Sequence, residues 1–313
     1  MNQSKKLTDG AMLSAIFIVL LMIAVFVPVM FFALFFLPVQ FVIFASRYDW
    51  KSAALMAVAT IILSILLATF ASFPIAVMMA LGGILIGNAI HQNLSAYETW
   101  ARGTLGFVAG LLFAFVFMQF VFQINLLEQL EQMMNESLEM TGNMFEGFDM
   151  GQQMEETQAM MQDMIGVMLD LFPVLLAGTA VVLALISQWV SYKVINRIEK
   201  KDYRFPPFRN LRFPISLIWI YFGAFVLSIF VTDPESSFYI AIQNLFVLTG
   251  LVMAVQGFSF IFFYAHHKKM TKALPIFSII LTVLFPMLLL YLIRIIGIID
   301  LGFGLRDRLV DKE

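Results

Sequence analysis

The sequence predicts an all-α, polytopic integral membrane protein of about nine transmembrane helices, eight being the alternative count, with an acidic helical hairpin on the extracytoplasmic side. Three observations predict it. Hydrophobic residues fill 61% of the 313 positions and charged residues only 13%, far from the usage of a soluble domain. Several apolar runs exceed the roughly 18–20 residues that cross about 30 Å of hydrocarbon, and they lack the strict alternation of a barrel strand. Residues 125–164 are the only long polar segment, with nine carboxylates and no Lys or Arg. Lys and Arg are what hold loops in the cytoplasm, so a long loop without them belongs outside.

The elements follow in order. Lys5 and Lys6 precede an apolar run with no small-residue cleavage pattern, so the first span is expected to be its own targeting signal. Residues 11–45 are almost wholly apolar, about 52 Å as one helix, which is too long for one crossing. Pro28 and Pro38 supply the break, giving span one at 11–28, a turn near Met30 and span two at 32–46. Span three is expected at 52–70 and span four at 74–91, with the small cluster Gly82, Gly83 and Gly87. Span five, 103–124, carries Gly103, Gly106 and Gly110 at helical spacing.

Leu127, Leu130, Met134 and Leu138 fall three or four apart, which predicts that span five continues outward as an amphipathic helix. Gly142, Asn143, Gly147 and Gly151 supply a turn, and Met154, Met161, Ile165 and Met168 give a returning helix a matching stripe. Span six, 165–192, is expected to follow without a break. Spans seven to nine are expected at 213–231, 237–264 and 273–296. This divides the chain into a six-span domain at 1–192, a basic cytoplasmic linker at 193–212 and a three-span domain at 213–313.

Charge tests the orientation. The segments assigned to the cytoplasm, the N-terminus among them, hold 15 of the 19 Lys and Arg, and the outer loops hold none. The last segment balances four basic against four acidic residues, and odd parity puts it outside.

Asp170 and Arg294 stand out as ionisable residues in apolar spans, where a charge costs on the order of 2.5–3.5 kcal/mol at a helix centre. Both are expected near the outer ends of their spans, as a substrate-facing pair or as residues reaching the interface. Asn88, Gln119 and Gln123 join them as candidate substrate-binding positions, with bonding between helices as the plainer use of such amides. The nine Met of residues 125–164 could offer soft thioether ligands, but without His or Cys they read as a hairpin seam, and no metal is expected. No catalytic residue set presents itself: there is no phosphate-binding loop, HExxH or GxSxG. The expectation is a non-enzyme with no cofactor. Residues 193–212 hold seven basic residues against two acidic ones, which topology explains without nucleic acid.

Residues 297–309, GIIDLGFGLRDRL, resemble the C-terminal signature of the YybS-like family of uncharacterised multispanning membrane proteins of Gram-positive bacteria. The opening LTDGAMLSAIFIVLLMIAVFVPV and the segment YDWKSAALMA are similar too, and the resemblance covers nearly the whole chain. Spans one to six also resemble the six-helix substrate-binding (S) components of energy-coupling-factor vitamin transporters. That resemblance implies a small solute and a partner, a transmembrane coupling subunit with its ATPases, docked on an AxxxA pattern that Ala11 and Ala15 would supply. The chain departs from S components in its three further spans, its acidic hairpin and its short connection between spans one and two. Two functions therefore stand side by side: S-component-like binding of a solute in the bacterial cytoplasmic membrane, and a non-transporting scaffold or regulator that binds protein partners through the acidic hairpin or the basic loop.

Overall fold

The structure, a computed structural model, describes residues 3–145, 151–234, 236–271 and 273–310. Among these there are helices and turns and no strand. Seven helices are long and apolar enough to cross a membrane, and three shorter apolar helices accompany them. The chain divides into two compact units, Met1–Phe205 and Pro206–Glu313.

The first unit contains α1 (Gln3–Phe26), α2 (Leu37–Arg47), α3 (Trp50–Leu67), α4 (Phe73–His91), α5 (Ala96–Val121), α6 (Leu126–Phe145), α7 (Gly151–Asp170) and α8 (Phe172–Glu199). Between α1 and α2 the chain tightens into a 3-10 stretch, Pro28–Phe36, with Pro28 at its start and Pro38 in the first turn of α2. Both prolines sit where a missing N–H costs nothing. α2 is the centre of this unit, since every residue from Leu37 to Ser46 is buried.

Small residues make that burial geometrically feasible. A Cβ on Gly83 would lie 2.6 Å from the Pro38 carbonyl oxygen, and one on Gly106 2.8 Å from that of Leu81. The backbones of α2, α4 and α5 therefore touch at these points, as packing in lipid requires.

The hairpin forms from two helices, but both junctions to the spans are broken. Residues 122–125 interrupt the expected continuous helix: Gln123 is left-handed at φ 54°, and the Asn125 side chain accepts from the N–H groups of Leu127 at 3.2 Å and Glu128 at 3.4 Å to start α6 afresh. The return is broken at Leu171, because Pro173 in the first turn of α8 cannot continue α7. Of the expected turn residues, Gly142 and Asn143 lie within α6 and Gly151 opens α7, so both helices run further than the glycine spacing predicts, while Gly147 lies outside the described residues.

The second unit contains α9 (Ser216–Phe230), α10 (Ser237–His267), α11 (Ala273–Leu284), α12 (Pro286–Phe303) and α13 (Leu305–Val310). Here the structure corrects the ninth span. The chain breaks at Phe285, which precedes Pro286 and leaves the helical region at φ −128°, ψ 62°. Pairings of α10 with α12 advance together, Gly250 with Arg294, Met253 with Gly297 and Gln256 with Asp300, so the two helices run parallel. α12 therefore ends beside the residues that lead into α9, where Arg306 donates to the carbonyls of Arg209 at 2.7 Å and Leu211 at 3.1 Å. The C-terminal segment shares a side with residues 209–211, contrary to the expectation from odd parity. Single cysteines at 209 and 308 should then react alike with an impermeant thiol reagent, and oppositely to one at 233. Labelling of 209 and 308 from opposite sides would refute the parallel pairing.

Candidate functional site

Four places gather polar or open apolar groups. The most buried is at the end of the second unit. Asp300 closes α12, and Gly304, left-handed at φ 58°, folds the chain back so that Arg306 returns beside it. Arg306 Nε donates to Asp300 Oδ2 at 2.9 Å, and the two residues are 4% and 2% exposed. Gln256 Nε2 donates to the same oxygen at 2.5 Å, while Gln256 Oε1 accepts from Phe213 N–H at 3.1 Å. Arg306 Nη2 reaches Ser259 Oγ at 3.1 Å, and the guanidinium lies 5.4 Å from the Phe263 ring centre. The arrangement clasps residues 208–213 to the C-terminal segment. Every guanidinium nitrogen is hydrogen-bonded within the protein.

A second cluster joins the ends of α1, α2 and α8. Arg47 donates to Glu199 Oε1 at 2.5 Å and to Asp9 Oδ2 at 3.3 Å, and the Tyr48 hydroxyl donates to Asp9 at 2.8 Å. Lys201 pairs with Glu199 at 2.9 Å, and that hydrogen bond raises the lysine pKa. Nearby, hydrogen bonds from the Ser52 hydroxyl and amide, with Lys6 at 3.6 Å, hold the Asp49 carboxyl below its ordinary range against the opposing effect of burial. A cavity of about 520 Å³ opens among these groups. Their charges are spent on one another.

The third place is the seam of the hairpin, a cavity of about 640 Å³ lined by Met134 and Leu138 of α6 and Met161, Met164, Ile165 and Met168 of α7. Met134 and Leu138 of one expected stripe face Met161, Ile165 and Met168 of the other here, and the Met154 side chain lies outside the described residues. The fourth is a groove of about 930 Å³ between α1 and α3, and Ala11 and Ala15 line it, both exposed. Among the described residues no group of three His, Cys, Asp or Glu is placed to hold a metal ion.

Within the first unit, Asn88 lies apart from Gln119 and Gln123. Asp170 ends α7 in the first unit, and Arg294 belongs to the second. Arg294 is the ninth of the 18 residues of α12, not near a helix end as expected. It packs on Gly250, with its guanidinium 5.9 Å from the Tyr221 ring centre and 5.7 Å from that of Phe246, and its buried Nε has no hydrogen-bond partner among the described residues. Asn88 is half-buried near the His91 end of α4. Ile86 packs on Gly103, which places Gln119 roughly 24 Å further along α5 by helical rise, and both Gln119 and Gln123 are exposed.

Residue spacing singles out neither Gln256 nor Arg306, which belongs to the charge-balanced tail. The signal was present in the quoted motif, where Asp300 and Arg306 flank the flexible Gly302 and Gly304.

A model of the family described as "Predicted membrane protein (DUF2232)" matches residues 15–301. The chain is 27% identical over 310 residues to "Uncharacterized protein YybS" of Bacillus subtilis (strain 168), covering 98% of this chain and 99% of that protein. No solved structure matches it.

Proposed function

The chain belongs to the family of predicted membrane proteins DUF2232, and from that premise we propose that it is a non-enzymatic, non-transporting membrane scaffold that captures a protein partner through the acidic hairpin. The observation that carries this reading is the open seam between α6 and α7. Of its lining, Met161, Met164 and Met168 are 40%, 70% and 46% exposed, and Glu128, Glu131, Glu136 and Glu139 stand exposed on α6 across from them. Adaptable thioethers bordered by carboxylates suit an amphipathic segment with an apolar face and Lys or Arg at its margins. The charge asymmetry of the sequence places this surface outside the cell.

Two further observations support a partner over a solute. The glycine contacts of α4 and α5 leave little space between those helices, and Asn88, Gln119 and Gln123 do not converge. The basic segment is the poorer partner surface because four of its seven cations have partners of their own: Lys193 lies 3.5 Å from the Trp189 ring centre, Lys201 pairs with Glu199 at 2.9 Å, Arg204 with Asp202 at 2.6 Å and Arg212 with Asp307 at 2.9 Å.

The test is a photo-cross-linking residue at position 164 in cells, with a second protein carrying Lys at 128, 131, 136 and 139. A discrete adduct lost on charge reversal is expected. An adduct indifferent to charge reversal, or recovery of an ATPase pair with the protein purified in mild detergent, would overturn the reading.

A further inference from the structure

The geometry points to the groove between α1 and α3 as a binding site for one anionic glycerophospholipid, its acyl chain in the groove and its phosphate on Lys6. The α1 wall includes Gln3 at one end and Met22 at the other, about 28 Å of helix. The groove holds about 930 Å³ along that length. A single file of methylenes fits it, and gains dispersion contacts on both walls.

The lining explains both the width and the polarity. Gly10, Ala11 and Ala15 on α1 face Ala59 on α3, so small side chains open the channel. Ser14 adds no polarity to it, because its hydroxyl is bonded to Thr60 at 2.7 Å in a buried pair. Leu55, Leu63 and Leu67 continue the apolar wall. Polar lining is confined to the end where Gln3, Lys6 and Ser52 lie, with Lys6 the cation among the described lining residues. Lys6 is held there by Asp49 at a long 3.6 Å and lies 5.7 Å from the Tyr48 ring centre. An ammonium has three donors, and this loose pairing leaves room for a phosphate oxygen. An apolar channel with Lys6 at one mouth has the polarity of an anionic phospholipid whose phosphate stands at that end.

The experiment is native mass spectrometry of the full chain released from nanodiscs of equal phosphatidylglycerol and phosphatidylcholine. Wild type is expected to retain one lipid, with phosphatidylglycerol preferred. Lys6→Gln should keep the lipid and cut that preference about five-fold, the ratio expected for one Lys at a membrane surface. Ala11→Leu with Ala15→Leu, or Ala59→Leu alone, should fill the channel and remove the lipid. All three alanines are exposed, so these changes leave the core intact, and a melt matching the parent in detergent checks this. Lipid retained in both channel-filling variants, an unaltered preference in Lys6→Gln, or equal displacement by oleate, which would assign the site to a free carboxylate, would each overturn the proposal.

Discussion

Replacing Arg306 with Ala is expected to destabilise the Pro206–Glu313 unit by about 3–5 kcal/mol, the cost of leaving a buried partner charge uncompensated. The side chains of Arg306 and Asp300 are only 5% and 1% exposed, so solvent screens the pair weakly. Truncation strands Asp300, whose Oδ1 already has no partner among the described residues, and leaves the carbonyl of Arg209 without its donor. Arg306→Lys should recover little, since a single ammonium cannot reproduce a fork that spans Asp300, Ser259 and two backbone carbonyls. The double change Asp300→Leu with Arg306→Met should recover much of the loss, because it removes both desolvated charges at once. Thermal melts of the purified protein in one detergent would measure all three. A melt of Arg306→Ala equal to the parent would show that the network holds nothing together.

The spans were legible because hydrophobic length is a direct physical requirement of crossing a bilayer, and the backbone contacts of Gly83, Gly87 and Gly106 were legible because small residues recur where helices meet in lipid. The seam stripes of α6 and α7 were legible from spacing alone, through Met134 and Leu138 on one helix and Met161, Ile165 and Met168 on the other. What escaped was punctuation inside apolar runs. Pro286 sits in a stretch whose hydropathy never dips, and prolines are common enough in membrane helices that one alone does not declare a break. Missing it merged α11 with the first half of α12, which moved Arg294 toward a helix end and reversed the side of the C-terminal segment. Charge could not correct the error, because the tail carries equal numbers of acids and bases. The buried pair was invisible for a related reason: residues six apart share no helical face, and only the left-handed turn at Gly304 brings Asp300 and Arg306 together.

Gly297→Ala is the other large effect expected, and it tests the parallel pairing of α10 and α12 directly. A methyl at Gly297 would be driven into the Met253 carbonyl oxygen and would stand 2.8 Å from the Gly257 amide nitrogen, both backbone atoms that cannot turn aside. The reciprocal contact, Gly257 against the Ile293 carbonyl, shows that the two backbones are closest at this point. Relief requires the helices to separate, at a cost of about 1–3 kcal/mol or more for overpacking. Gly250→Ala should cost less, because its new methyl meets the Arg294 guanidinium at 2.6 Å, the far end of a flexible side chain. Gly178→Ala, with nothing within 4 Å of its Cβ, should instead stabilise α8 by about 0.5–1 kcal/mol through reduced backbone entropy. Melts in a common detergent should therefore order the three variants as Gly297, Gly250 and Gly178 from most to least harmful. An antiparallel or loosely packed α12 would bring different residues against α10 and erase that order. It would also take Gly250 and the Tyr221 and Phe246 rings away from Arg294, leaving a mid-helix charge in lipid with no contact to offset its desolvation.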